Sequence, residues 1–173
     1  GADEFYTVDI HKEASLSAFG IKARNLYATE VIADYLKRSG LEDPYILSPD
    51  KGAIMIAKRV GEGIGAEYGN FEKTRDRITG AITVKGEKVD ARGRNVAIVD
   101  DLISTGGTIA NAAKILKEGG AKRVIAICSH PLLVAGAYER MMGAGVDEVL
   151  GTDTVESSIG KISVAPLIAK GLQ

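Results

Sequence analysis

The chain has 173 residues, 45% of them hydrophobic, which suffices for one sizeable core and fits a single domain over residues 1–173. Lysine and arginine number 22 against 23 aspartates and glutamates, so no net field attracts nucleic acid or an anionic membrane surface, and any anion site must be local. Cys128 is the only cysteine, which excludes an internal disulfide and a multi-cysteine metal site, and no apolar run approaches the ~20 residues of a membrane span. The expectation is a cytoplasmic protein with neither nucleic acid nor membrane as a partner.

A first strand, Phe5 to Val8, starts almost at once after Gly1, which reads as a chain cut from something longer. A helix near Leu26 to Arg38 follows, then a strand from Pro44 to Leu47, a helix near Ile54 to Gly63 and a strand from Gly65 to Phe71. Between Thr79 and Arg92 the run Ala81 to Val89 reads as a hairpin or flap turning near Gly86, and it interrupts the alternation. Arg94 to Val99 is too uniformly apolar for a strand with one wet face, and a helix from about Thr108 to Glu118 closes on Gly119-Gly120. The strand Arg123 to Cys128, a helix from about Ala135 to Met142, and strands at Asp147 to Leu150 and Ile162 to Val164 complete the pattern. Strands alternating with helices predict an α/β fold, a mostly parallel sheet of five or six strands with helices on both faces.

The run from Val96 to Thr108, VAIVDDLISTGGT, carries the chemistry. It sets Asp100 and Asp101 where a buried strand ends, then a hydroxyl- and glycine-rich turn that opens a helix, the place where an open α/β sheet holds its ligand. Gly106 and Gly107 let backbone approach a phosphate, Ser104, Thr105 and Thr108 add hydroxyl donors, and the helix dipole favours the anion. Neither a G-x-G-x-x-G nor a terminal Gly-Lys-Ser/Thr is present, so this is neither a dinucleotide fingerprint nor a Walker loop. Asp100 and Asp101 would repel a phosphate unless they faced a metal ion or sugar hydroxyls, and a sugar phosphate satisfies both halves of the loop. Taken singly, the acids could cap a strand end and the glycines could make an ordinary turn.

Val-Asp-Asp followed by Ser-Thr-Gly-Gly-Thr resembles the phosphoribosyl diphosphate loop of type I phosphoribosyltransferases and of ribose-phosphate diphosphokinases. Thr7-Val8-Asp9-Ile10-His11 is similar to the strand that ends in Asp-Leu-His in the diphosphokinases, whose histidine lies at the magnesium and the ATP phosphates. Ser48-Pro49-Asp50-Lys51-Gly52-Ala53 resembles their diphosphate loop, with Lys51 and Ala53 standing where the commoner form has Ala and Gly; Lys51 reads equally as a solvated charge. Phe71-Glu72-Lys73-Thr74-Arg75 resembles their catalytic loop, and similarity continues through Gly120 to Val124, Ser129-His130-Pro131 and Thr152-Asp153-Thr154. The resemblance implies synthesis of 5-phosphoribosyl 1-diphosphate from ATP and ribose 5-phosphate with Mg2+. It assigns Lys73 and Arg75 to catalysis, and Asp100, Asp101 and Ser104 to Thr108 to ribose 5-phosphate. It assigns Asp50, Lys51 and Gly52 to diphosphate, and His11 with Asp50 to the metal. It also implies an amino-terminal partner domain missing from this chain and a homo-oligomer, dimer or higher. A nucleobase phosphoribosyltransferase or a non-catalytic phosphosugar-binding module are the alternatives. His130 reads equally as a sugar-phosphate neighbour, a subunit contact or a turn cap, and stays off the catalytic set.

Overall fold

The computed structural model describes residues 1–75, 82–86 and 91–173, with only the backbone described at 72–75 and 82–86. The strands are β1 (Glu4–Val8), β2 (Lys22–Leu26), β3 (Pro44–Ser48), β4 (Tyr68–Arg75), β5 (Ile82–Gly86), β6 (Asn95–Ile103), β7 (Arg123–Pro131), β8 (Glu148–Thr152) and β9 (Gly160–Ile162). The helices are α1 (Thr29–Arg38), α2 (Ile54–Ile64), α3 (Gly107–Glu118), α4 (Ala137–Gly143) and α5 (Ala165–Gly171), with a 3-10 turn at Glu13–Ala18.

The main sheet runs β5-β4-β3-β6-β7-β8-β9, and six of its strands, β3, β4, β6, β7, β8 and β9, are mutually parallel. The expected parallel α/β sheet is therefore present, and only β5 is antiparallel; β5 covers part of the run expected as a flap turning near Gly86, but it ladders to β4, with Gly86 opposite Phe71 and Ile82 opposite Arg75. The rest of that flap, residues 76–81 and 87–90, lies outside the described residues.

β6 and β7 are apolar on both faces because both faces are covered. Val96, Ile98, Val124, Ala126 and Cys128 pack in the cluster formed with α3 and α4, while Ala97, Val99, Ile125 and Ile127 pack in the one formed with α1 and α2. Cys128 is a buried packing residue. Among the described residues no helix is long and apolar enough to cross a membrane.

Several boundaries differ from the sequence reading. Leu26 ends a strand rather than starting a helix: β2 pairs in parallel with β1, Leu26 opposite Val8, in a separate two-stranded sheet. Gly65 is the left-handed C-cap of α2, with φ 70°, so β4 starts three residues later at Tyr68. β6 and β7 run on together to Ile103 and Pro131, which puts Asp100 and Asp101 in the strand and not after it. The final strand ends at Ile162, because Asp153 takes the N–H of Val164 and the hydroxyl of Ser163 and turns the chain into the unforeseen α5.

Candidate sugar-phosphate site

The ends of β1, β3 and β6 bring the singled-out loops to one edge of the sheet. His11 follows β1, and its Nδ1 lies 2.7 Å from Oδ2 of Asp101. The imidazole is 74% exposed and Asp101 19%, so the histidine stands at the rim and the acid inside. Asp50 accepts the N–H of Gly52 at 2.8 Å on Oδ1, and the hydroxyl of the fully buried Ser48 donates to its carbonyl. Those two bonds set the β3–α2 loop. A cleft of about 420 Å³ is lined by His11, Asp50, Gly52, Asp100 and Asp101, with Lys12 at its edge.

A second hollow of about 140 Å³ adjoins it, lined by Asp100 and by the turn from Ser104 through Thr108. Gly106 has φ 70°, and a Cβ there would lie 3.0 Å from Cγ of Met141 and 3.1 Å from the carbonyl oxygen of Ala137. Glycine is thus required twice over, by conformation and by space. No side chain caps the first turn of α3, which leaves its leading N–H groups for an anion.

Asp100 faces both hollows, and its electrostatics follow from that position. Burial, then the neighbouring charge of Asp101, with a further push from Asp50, raises its carboxyl from 3.8 to about 7. Acids that disfavour one another's charge are relieved by a cation or by hydroxyl donors. Among the described residues no three His, Cys, Asp or Glu side chains converge enough to enclose a metal ion. Mg2+ takes one or two protein carboxylates and fills its octahedron with phosphate oxygens and water. Asp50, which lines the larger cleft with His11, is a carboxylate of that kind.

His130 belongs to a supporting network. Its Nε2 lies 3.1 and 3.2 Å from the carbonyl oxygens of Val8 and Asp9, which only accept, so Nε2 carries the hydrogen and Nδ1 faces the hydroxyl of Thr154 at 2.9 Å. Asp9, 7% exposed and at φ 42°, accepts the N–H of Ala28 at 3.2 Å and the hydroxyl of Ser129. Burial pushes its carboxyl up, against those two hydrogen bonds. Asp9 and His130 thus tie the end of β1, and His11 with it, to β7. The sequence reading missed this network and the His11–Asp101 contact, although the acid of the Asp-Ile-His run was visible. Lys73 and Arg75 lie in β4, and their side chains are outside the described residues. Lys51 is exposed at the tip of its loop.

Comparison with known proteins agrees with this fold. Residues 21–155 match the family model described as phosphoribosyl transferase domain. The chain belongs to that family. It is 45% identical to a ribose-phosphate pyrophosphokinase of Pyrococcus abyssi over 97% of its own length and 58% of the relative's. Identity to the ribose-phosphate pyrophosphokinase of Methanosarcina mazei is 41%, over 99% of the chain and again 58% of the relative. The crystal structure of phosphoribosylpyrophosphate synthetase from Mycobacterium smegmatis superposes with a TM-score of 0.83 at 30% identity, covering 99% of the chain and 58% of that protein. A purine phosphoribosyltransferase from Pyrococcus horikoshii, 17% identical with a TM-score of 0.55, shares the fold alone; it is covered over 92% and this chain over 94%. As a phosphoribosyl transferase domain, the chain spans about three-fifths of the length of the pyrophosphokinases it matches.

Proposed function

We propose that this domain supplies the ribose 5-phosphate and diphosphate sites of an enzyme that makes 5-phosphoribosyl 1-diphosphate from ribose 5-phosphate and ATP. The observation that carries the reading is the adjacency of two hollows sharing Asp100, a small one walled by hydroxyls and helix N–H groups and a larger acidic one. An anion at one end joined to a polyol at the other describes a sugar phosphate.

In this reading the 5-phosphate sits on Ser104 to Thr108, held by Gly106 and Gly107 backbone and by the Ser104, Thr105 and Thr108 hydroxyls. Asp100 and Asp101 accept hydrogen bonds from the ribose 2- and 3-hydroxyls and fix the 1-hydroxyl toward the β-phosphorus of ATP. The 1-oxygen bonds to that phosphorus as its proton passes to solvent, the bond from that phosphorus to the oxygen bridging it to the α-phosphorus breaks, and AMP leaves with the bonding pair. The diphosphoryl group rests on the loop of Asp50, Lys51 and Gly52. His11 and Asp50 would hold Mg2+, which would supply positive charge to the transferring group. Lys73 and Arg75 add cations from β4. The working protein is then a homo-oligomer, dimer or higher, of the cytoplasm, whose adenine contacts come largely from segments beyond this domain.

Calorimetric titration with ribose 5-phosphate, and separately with Mg-ATP, tests the reading. Binding of the sugar phosphate, lost in Asp101→Asn, is expected. Failure of the wild-type chain to bind any phosphorylated ribose would sink it, and diphosphate release that depends on an added purine would favour a nucleobase phosphoribosyltransferase instead.

A further inference from the structure

The turn that opens α3 is held from behind by a single stretch of chain. Leu132 and Leu133 both donate N–H to the carbonyl of Ile103 at 3.1 Å, and Val134 donates to the carbonyl of Ser104 at 3.0 Å. The third carbonyl in the series, that of Thr105, is taken by a side chain: Nη1 of Arg140 donates to it. Nη2 of the same guanidinium donates to the carbonyl of Ala135 at 3.1 Å. One rigid fork therefore joins the turn to the segment that backs it.

That segment holds an unfavourable conformation. Leu133 and Ala135, neither of them glycine, have φ of 47° and 53°, and Gly136 follows at 72°. Left-handed backbone at ordinary residues persists only where surrounding contacts over-determine it. Here the contacts are the carbonyls of Ile103 and Ser104 on one side and Arg140 on the other. Two of the three turn carbonyls are held by main-chain N–H groups, which substitution barely touches. The third depends wholly on residue 140.

We infer that Arg140 is a positioning residue for the anion-binding turn: it fixes the Thr105 peptide before any ligand arrives, so that the turn's N–H groups are already oriented for a phosphate. Arg140 lines a groove of about 800 Å³ along α3 and α4 that shares Thr105, Gly107 and Thr108 with the phosphate hollow, while Arg140 itself is not part of that hollow's lining. A preset oxyanion cradle binds more tightly because no ordering remains to be done on binding. The consequence for ribose 5-phosphate rests on the function proposed above; the preset geometry does not.

The test uses Arg140→Lys, which keeps the charge and loses the fork. Amide hydrogen exchange of the ligand-free chain should speed up about tenfold at Leu132 to Val134, whose N–H groups bond the turn, as expected for losing a charge-assisted pair of hydrogen bonds, with exchange in α1, α2 and β3 unchanged. Titration should show ribose 5-phosphate weakened by a similar factor. Unchanged exchange at Leu132 to Val134 overturns the inference, and so does a uniform increase across the chain, which would mark Arg140 as a general stabiliser. If the turn loosens while the wild-type chain ignores ribose 5-phosphate, Arg140 keeps its role and the sugar-phosphate reading fails.

Discussion

Asp100 and Cys128 stand opposite each other on β6 and β7, and burial acts on both. For Asp100 the folded value is about 7 against 3.8 for an ordinary aspartate, so between those values the folded chain keeps a proton that the unfolded chain has shed. Its contribution to stability is complete below about pH 4 and is lost as pH rises through about 7. Asp100→Asn should therefore stabilise the chain by on the order of 2 kcal/mol at pH 8 and by almost nothing at pH 4, read from urea melts at the two pH values. An equal gain at both would mean that shape and not charge sets the cost. The same variant should lose ribose 5-phosphate binding, a stability gain at the expense of function. Burial pushes the Cys128 thiol up to about 12, so alkylation by iodoacetamide at pH 8 should be undetectable in the native chain and complete in denaturant.

At the scale of elements, the β6–α3 turn is the most constrained. Gly106→Ala puts a methyl at positive φ against Met141 and the Ala137 carbonyl, which should cost about 2–3 kcal/mol in a thermal or urea melt and weaken ribose 5-phosphate at the same time. A melt within 0.5 kcal/mol of wild type, on the scale of an ordinary surface change, would show that the turn can relax. This turn was legible in the sequence because glycine and hydroxyl residues at a strand-to-helix junction have few other uses. β6 and β7 were legible because strands covered on both faces lose the polar half of their pattern. β2 was not: Lys22-Ala23-Arg24-Asn25-Leu26 has charged side chains and becomes a strand only through its ladder with β1. Contacts such as His11 with Asp101 or Arg140 with Thr105 join residues far apart in the chain, and local pattern carries no distance information.

At the scale of the molecule, the domain lacks about two-fifths of the length of its pyrophosphokinase relatives. With the adenine contacts assigned elsewhere, the isolated chain should bind ribose 5-phosphate and show no steady-state AMP production from Mg-ATP, followed by chromatography of the nucleotides. Sustained AMP formation would mean that this domain completes the ATP site itself. The sheet order adds something different. β6 joins β3 and β4 on one side to β7, β8 and β9 on the other, and the cleft is walled by Asp50 from the first side and Asp100 and Asp101 from β6. The larger cleft needs residues from both sides, so it forms only when the non-local β3–β6 pairing closes. A ligand that recognises the pocket recognises only the finished protein, and a newly made chain in its presence would be drawn toward the native state by mass action rather than by any local contact.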